Sequence, residues 1–140
     1  MHLATSITEE DISMFLQETE EQLELLNSYL SKLIKEADNT DIFQRAFCAA
    51  HTIKGNSSMI EYPQMYELAY AMESVLHQLR KDTLALNSEI VDALLDSLDM
   101  LRVLKEELVF PKNIEIDITP AINRIKKSCG ENPLNRGCHL

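Results

Sequence analysis

The sequence has no tryptophan, only three glycines and four prolines among 140 residues, and just eight phenylalanines and tyrosines together. That leaves little material for the Gly-, Pro- and aromatic-punctuated hairpins of an all-β fold. No run approaches the 18 uninterrupted apolar residues of a membrane span, and the opening "MHLATSITEEDI" has neither a basic segment nor a long apolar one. These absences imply a domain that does not insert into membranes and works in the cytoplasm. Basic residues are also short, 13 against 23 acidic, for a formal charge of −10. Phosphate backbones should be repelled, so nucleic acid is excluded as the expected partner. Three cysteines are an odd count without a secretion signal, against a disulfide framework. Cys129, Cys138 and His139 fall one ligand short of a zinc site and are poorly spaced for one, so no metal is expected.

What the chain does have is a hydrophobic content of 45%, rich in leucine, at a length that suits one core. In "SITEED", Ser6 or Thr8 can cap a first helix, with Glu9 or Asp11 three residues on. Ile12, Phe15, Thr19, Leu23, Leu26, Leu30 and Leu33 then recur at steps of three and four, one face of a helix. Glu18, Glu20, Glu21 and Glu24 read as its solvated side. "EADNTD" breaks the pattern and offers Asn39, Thr40 or Asp41 as the next cap. A second stripe follows: Ile42, Phe43, Ala46, Phe47, Ala50 and Ile53. "EYP" makes a turn, because the residue before a proline is biased out of the helical region and Pro63 suits the first position of a helix. A third helix from about Pro63 to Lys81 presents Met65, Leu68, Met72, Val75 and Leu79. A fourth, capped by Asn87 or Ser88, presents Ile90, Val91, Leu94, Leu95, Leu98, Leu101, Leu104 and Leu108. "FPKNIEIDITP" crosses to a short fifth helix from Thr119 to Lys127. The expectation is an all-α, antiparallel four-helix bundle with a short fifth C-terminal helix, spanning 1–128, with 129–140 the start of a linker or tail. The six methionines are expected mostly as core filler.

One stretch does not fit a plain structural helix. "AFCAAHTIKGNSSMI" carries His51, Lys54 and the helix-weakening Gly55. At ~100° per residue His51 lies about 110° from the centre of the apolar arc, at the edge of the buried face. Cys48, Lys54, Gly55 and Ser58 surround it on the same facet, and apart from Lys54 they are small. Gly55 costs about 0.5–1 kcal/mol relative to alanine in a helix interior, which close approach of a partner would justify. Hairpin arithmetic adds a second relation: His51 lies eleven residues before Tyr62 and Glu73 eleven after it. Antiparallel helices about that turn place the two at one height, across the ~8–10 Å between packed axes. A carboxylate on one ring nitrogen fixes the tautomer and leaves the other nitrogen the nucleophile. Lys54 can support a group with several anionic oxygens, which favours phosphoryl over acyl transfer. A lone surface histidine is ordinarily only polar; it is the joint pattern that argues for chemistry. His77, one turn after Glu73, is either a surface residue or part of a polar strip with Tyr66, Tyr70 and Glu73. No Gly-rich phosphate loop is visible.

"AAHTIKGNSS" resembles the signature of histidine phosphotransfer domains, and more closely that of the first domain of chemotaxis-type histidine kinases. The similarity runs from about residue 8 to 127 and includes "AMESVLHQL" and "LALNSEIVDALLDSLDML". It implies a five-helix domain in which His51 accepts phosphate at Nε2, Glu73 holds Nδ1, and a response regulator aspartate receives the group. ATP and Mg would belong to a separate histidine kinase catalytic domain, with no cofactor in this chain. Tyr70 and His77 are candidates for a supporting role, and the linker-like end points to a fragment of a longer kinase. The pattern departs at Asn56, where a second glycine is frequent, at "MIEYP", which replaces a Gly-containing turn, and at Tyr70, where another histidine is common. The alternatives are a non-phosphorylated helical adaptor that docks a receiver or kinase domain, and a metal-binding bundle, for which clustered ligands are lacking.

Overall fold

The computed structural model describes residues 6–36 and 39–129, so Cys138 and His139 lie outside the described residues. Among the described residues five helices follow one another: α1 (Glu9–Leu33), α2 (Thr40–Met59), α3 (Pro63–Arg80), α4 (Ser88–Val109) and α5 (Thr119–Ser128). Each of the first four begins where the local chemistry directs. Thr8 and Asp11 form a reciprocal capping box, Asn39 and Asn87 accept from the backbone of Asp41 and Ile90, and Pro63 stands in the first turn of α3. α1 packs on α2, α2 on α3, α3 on α4, and α4 returns to α1, which closes the bundle; α5 lies over α3 and α4.

The core follows the stripes read from the sequence and also takes in Leu76, which lies outside the expected α3 stripe. Leu23, Leu26, Leu30, Leu33, Ile53, Met65, Leu68, Met72, Leu76, Ile90, Leu94 and Leu98 are fully enclosed, and each such side chain is worth about 1.5–3 kcal/mol of burial. Phe47, Leu95 and Leu108 are only partly covered. Methionine is less uniform than expected. Met65 and Met72 are buried, whereas Met14 is 62% exposed and Met59 77% exposed, because Met14 falls outside the α1 stripe and Met59 is the last residue of α2. At the C-terminal end Cys129 is buried, and its amide donates to Ile125 O at 3.3 Å.

The turn between α2 and α3 sets the height of every residue that faces across this pair. Glu61 takes the left-handed conformation, φ 57°, that a glycine ordinarily supplies after a helix. The Tyr62 amide donates to Ser57 O at 2.9 Å and the Glu61 amide to Ser58 O at 3.1 Å. The buried Tyr62 hydroxyl donates to Leu104 O at 2.7 Å, pinning the turn to α4, and burial pushes its phenol up to about 12. Among the described residues no helix is long and apolar enough to cross a membrane.

Candidate functional site

His51 projects from α2 with its side chain 60% exposed, while Glu73 on α3 is only 13% exposed. They meet as the hairpin arithmetic requires, with Nδ1 of the imidazole 3.0 Å from Oε2 of the carboxylate. A carboxylate only accepts, so Nδ1 carries the proton and Nε2 keeps the lone pair. The geometry therefore yields a surface imidazole with one nitrogen tied down and the other available as a nucleophile.

Lys54 stands one turn further along α2. Its ammonium donates to Glu73 Oε1 at 3.1 Å, pairs with Oε2 at 3.0 Å, and lies 5.1 Å from the centroid of the Tyr70 ring. Lys54 thus leaves the open facet and folds back onto the carboxylate. Cys48, Gly55 and Ser58 remain exposed on that facet, with Gln44 donating to the Cys48 sulfur at 3.5 Å. A Cβ built on Gly55 meets nothing within 4 Å. Nothing inside the described chain requires glycine here.

The expected strip of Tyr66, Tyr70, Glu73 and His77 divides in two. Tyr66 and Tyr70 pack edge to face, with centroids 6.1 Å apart, on the Lys54 side. His77 lies on the other side, where its Nδ1 accepts from Arg80 Nη2 at 2.9 Å and its ring tilts against Phe47 at 5.7 Å. The split follows from helical rotation, since His77 is one turn past Glu73 and faces the preceding turn of α2. His77 therefore reaches His51 only through Phe47.

Phe47, Gln44 and Arg80 were not singled out as functional residues. Phe47 stacks on His51, with centroids 5.9 Å apart and planes 15° from parallel. The Arg80 guanidinium sits 4.0 Å from the Phe47 centroid and donates to Gln44 Oε1 at 2.6 Å. The signal was present: Gln44 and Arg80 lie eighteen residues either side of Tyr62, Phe47 and His77 fifteen, and Lys54 and Tyr70 eight. With His51 and Glu73 these form four level pairs along one interface.

Against known proteins, residues 12–103 match the family model described as Hpt domain. The chain belongs to the Hpt domain family. It is similar to the Chemotaxis protein CheA of Treponema pallidum, 28% identical over 118 residues that cover 84% of this chain and 14% of that protein. The chain thus spans about a seventh of that relative's length. Its fold is similar to the CheA phosphotransferase domain from Thermotoga maritima, with a TM-score of 0.69 and 26% identity over 76% of this chain and 99% of that one. It also resembles in fold the phosphorylated P1 domain of CheA3 in complex with CheY6 from R. sphaeroides, TM-score 0.72 and 22% identity, covering 86% and 94% of the two chains.

Proposed function

We propose that this Hpt domain is a phosphocarrier of two-component signalling, with His51 as the acceptor. The observation that carries the reading is the pairing of Glu73 with Nδ1 at 3.0 Å on an imidazole whose side chain is 60% exposed. In the forward step the Nε2 lone pair attacks the γ-phosphorus of ATP held, with Mg, on a histidine kinase catalytic domain. The N–P bond forms, the bond to the ADP oxygen breaks, and the ring becomes positively charged with its Nδ1 proton in place. The Glu73 carboxylate offsets that charge, while Lys54, held between Glu73 and Tyr70, supplies a compact positive charge one turn away. In the second step an aspartate oxygen of a response regulator receiver attacks the phosphorus, and the electron pair of the broken N–P bond returns to Nε2. No proton needs to move at Nδ1 in either direction.

The solved complex of a phosphorylated P1 domain with CheY6 supports a receiver of that kind as the acceptor partner. Gly55, Cys48 and Ser58 would form the clearance over which it approaches. Incubation with a cognate kinase and ATP is expected to give an acid-labile, alkali-stable modification that disappears in His51→Gln. A strong signal surviving that substitution would overturn the assignment. Receiver binding retained in His51→Ala, with no phosphate ever found on the wild-type chain, would favour a docking adaptor instead.

A further inference from the structure

One hydrogen bond fixes only one point of an imidazole. Rotation about χ2 of histidine is broad and soft, so the Glu73 contact alone leaves the ring free to swing Nε2 away from an incoming phosphorus. A flat wall against the ring removes that freedom. Phe47, one turn before His51, supplies it, with planes 15° from parallel and centroids 5.9 Å apart, inside the range of favourable aromatic contact. Phe47 is itself only partly buried and would turn easily without support.

That support comes from Arg80. Its guanidinium lies 4.0 Å from the Phe47 centroid, a close cation–π contact. Arg80 is in turn held at both ends of its fork, Nη1 on Gln44 Oε1 at 2.6 Å and Nη2 on His77 Nδ1 at 2.9 Å. These residues come from the two level pairs next to His51 and Glu73, on the side away from Lys54. None of these contacts is to Glu73.

We propose that Phe47 and Arg80 are positioning residues for His51: Arg80 clamps the phenyl ring, and the phenyl face holds the imidazole in the plane in which Nδ1 meets Glu73 and Nε2 is presented for transfer. The proposal rests on His51 being the phosphoacceptor, and its test separates the two. The probe is phosphoramidate, which needs no kinase: Nε2 attacks the phosphorus of its N-protonated form, the donor's N–P bond breaks, and the protonated nitrogen leaves with the bonding pair as neutral ammonia. Phosphohistidine is followed by mass spectrometry, and the tautomer of the unphosphorylated His51 ring by 15N NMR.

Phe47→Leu, which keeps apolar bulk but loses the flat face, is expected to slow labelling about tenfold, the order that misplacing a reacting group brings, and to reduce the share of the Nδ1–H tautomer. Phe47→Tyr restores both. Arg80→Lys keeps the charge and loses the flat, forked clamp, so it is expected to fall with Phe47→Leu. Wild-type labelling and tautomer signals in a folded Phe47→Leu would overturn the positioning role. A wild-type rate in Arg80→Lys would remove Arg80 from it and reduce its part to charge. Failure of phosphoramidate to label the wild-type chain would count against the phosphoacceptor reading, while the tautomer measurement would still decide the positioning.

Discussion

Two carboxylates in this bundle each bind two basic partners across a helix pair, and they do different things. Glu73 joins His51 and Lys54 between α3 and α2; Glu20 joins Arg102 and Lys105 between α1 and α4. The Glu20 partners are a guanidinium and an ammonium, Arg102 at 3.6 Å with Lys105 in closer contact. The Lys105 hydrogen bond holds Glu20 below its ordinary range; burial opposes it, and the charges of Lys105 and Arg102 add to the lowering. Its side chain stays 37% exposed, against 13% for Glu73. At Glu20 all the interaction goes into joining two helices. At Glu73 one partner is a ring with a second nitrogen, so in the proposed phosphocarrier the same attraction also sets which nitrogen of His51 would react. An ion pair turns into chemistry when one partner has a further valence facing solvent.

The sharpest way to break this comparison is to remove each carboxylate in turn. Glu73→Ala is expected to slow phosphorylation of His51 by about 10- to 100-fold, the usual cost of deleting a group that orients an imidazole, with the helical circular dichroism intact. Glu20→Ala is expected to leave the rate within a factor of two. Equal rates for Glu73→Ala and wild type would place both carboxylates in the structural class.

Gly55 sharpens the contrast from the side of stability. An added Cβ there meets open space, so Gly55→Ala is expected to stabilise the domain by about 0.5–1 kcal/mol in urea unfolding through helix propensity alone. Transfer to a receiver should slow at the same time, because the methyl group stands on the approach side. A loss of stability would mean the glycine answers an internal need and not a partner's.

How much of this was legible depended on the length of chain between the residues concerned. The caps at Thr8, Asn39 and Asn87 and the leucine stripes are local signals, and the helices follow from them. His51 and Glu73 were paired because a three-residue turn fixes the heights of both arms around Tyr62. The same turn fixes Gln44 against Arg80 and Phe47 against His77, but an arginine at a helix end reads as an ordinary terminal charge and a phenylalanine in an apolar stripe reads as core. Their place beside His51 shows only in the stacking of Phe47 on the imidazole and the Arg80 contacts to Phe47 and Gln44. Glu20 and Lys105 are 85 residues apart, and no short turn sets the register where α4 closes against α1, so Glu20 reads from the sequence only as part of a solvated face. Met14 lies outside the α1 stripe and Met59 at the very end of α2, so their exposure follows from position in the helix, which a reading of methionine as core filler passes over.

The smallest expected effect tests the structural half of the comparison by pH. A glutamate whose folded pKa is lowered adds stability that is fully present above its unfolded value, about 4.3, and fades as pH falls through the folded value. The unfolded chain takes up the proton first, so acid favours unfolding. Glu20 is partly open to solvent, which limits the effect to under about 1 kcal/mol. Wild type is therefore expected to exceed Glu20→Gln by a small, constant margin in urea unfolding from pH 6 to 8, about 0.5 kcal/mol in size. That margin should shrink towards zero as the pH drops below 4, and phosphorylation of His51 at neutral pH should be unaltered by the substitution. A margin that instead grew in acid would mean that Glu20 is stabilised as the neutral acid, and its pairing with Lys105 and Arg102 would not be what holds α1 to α4.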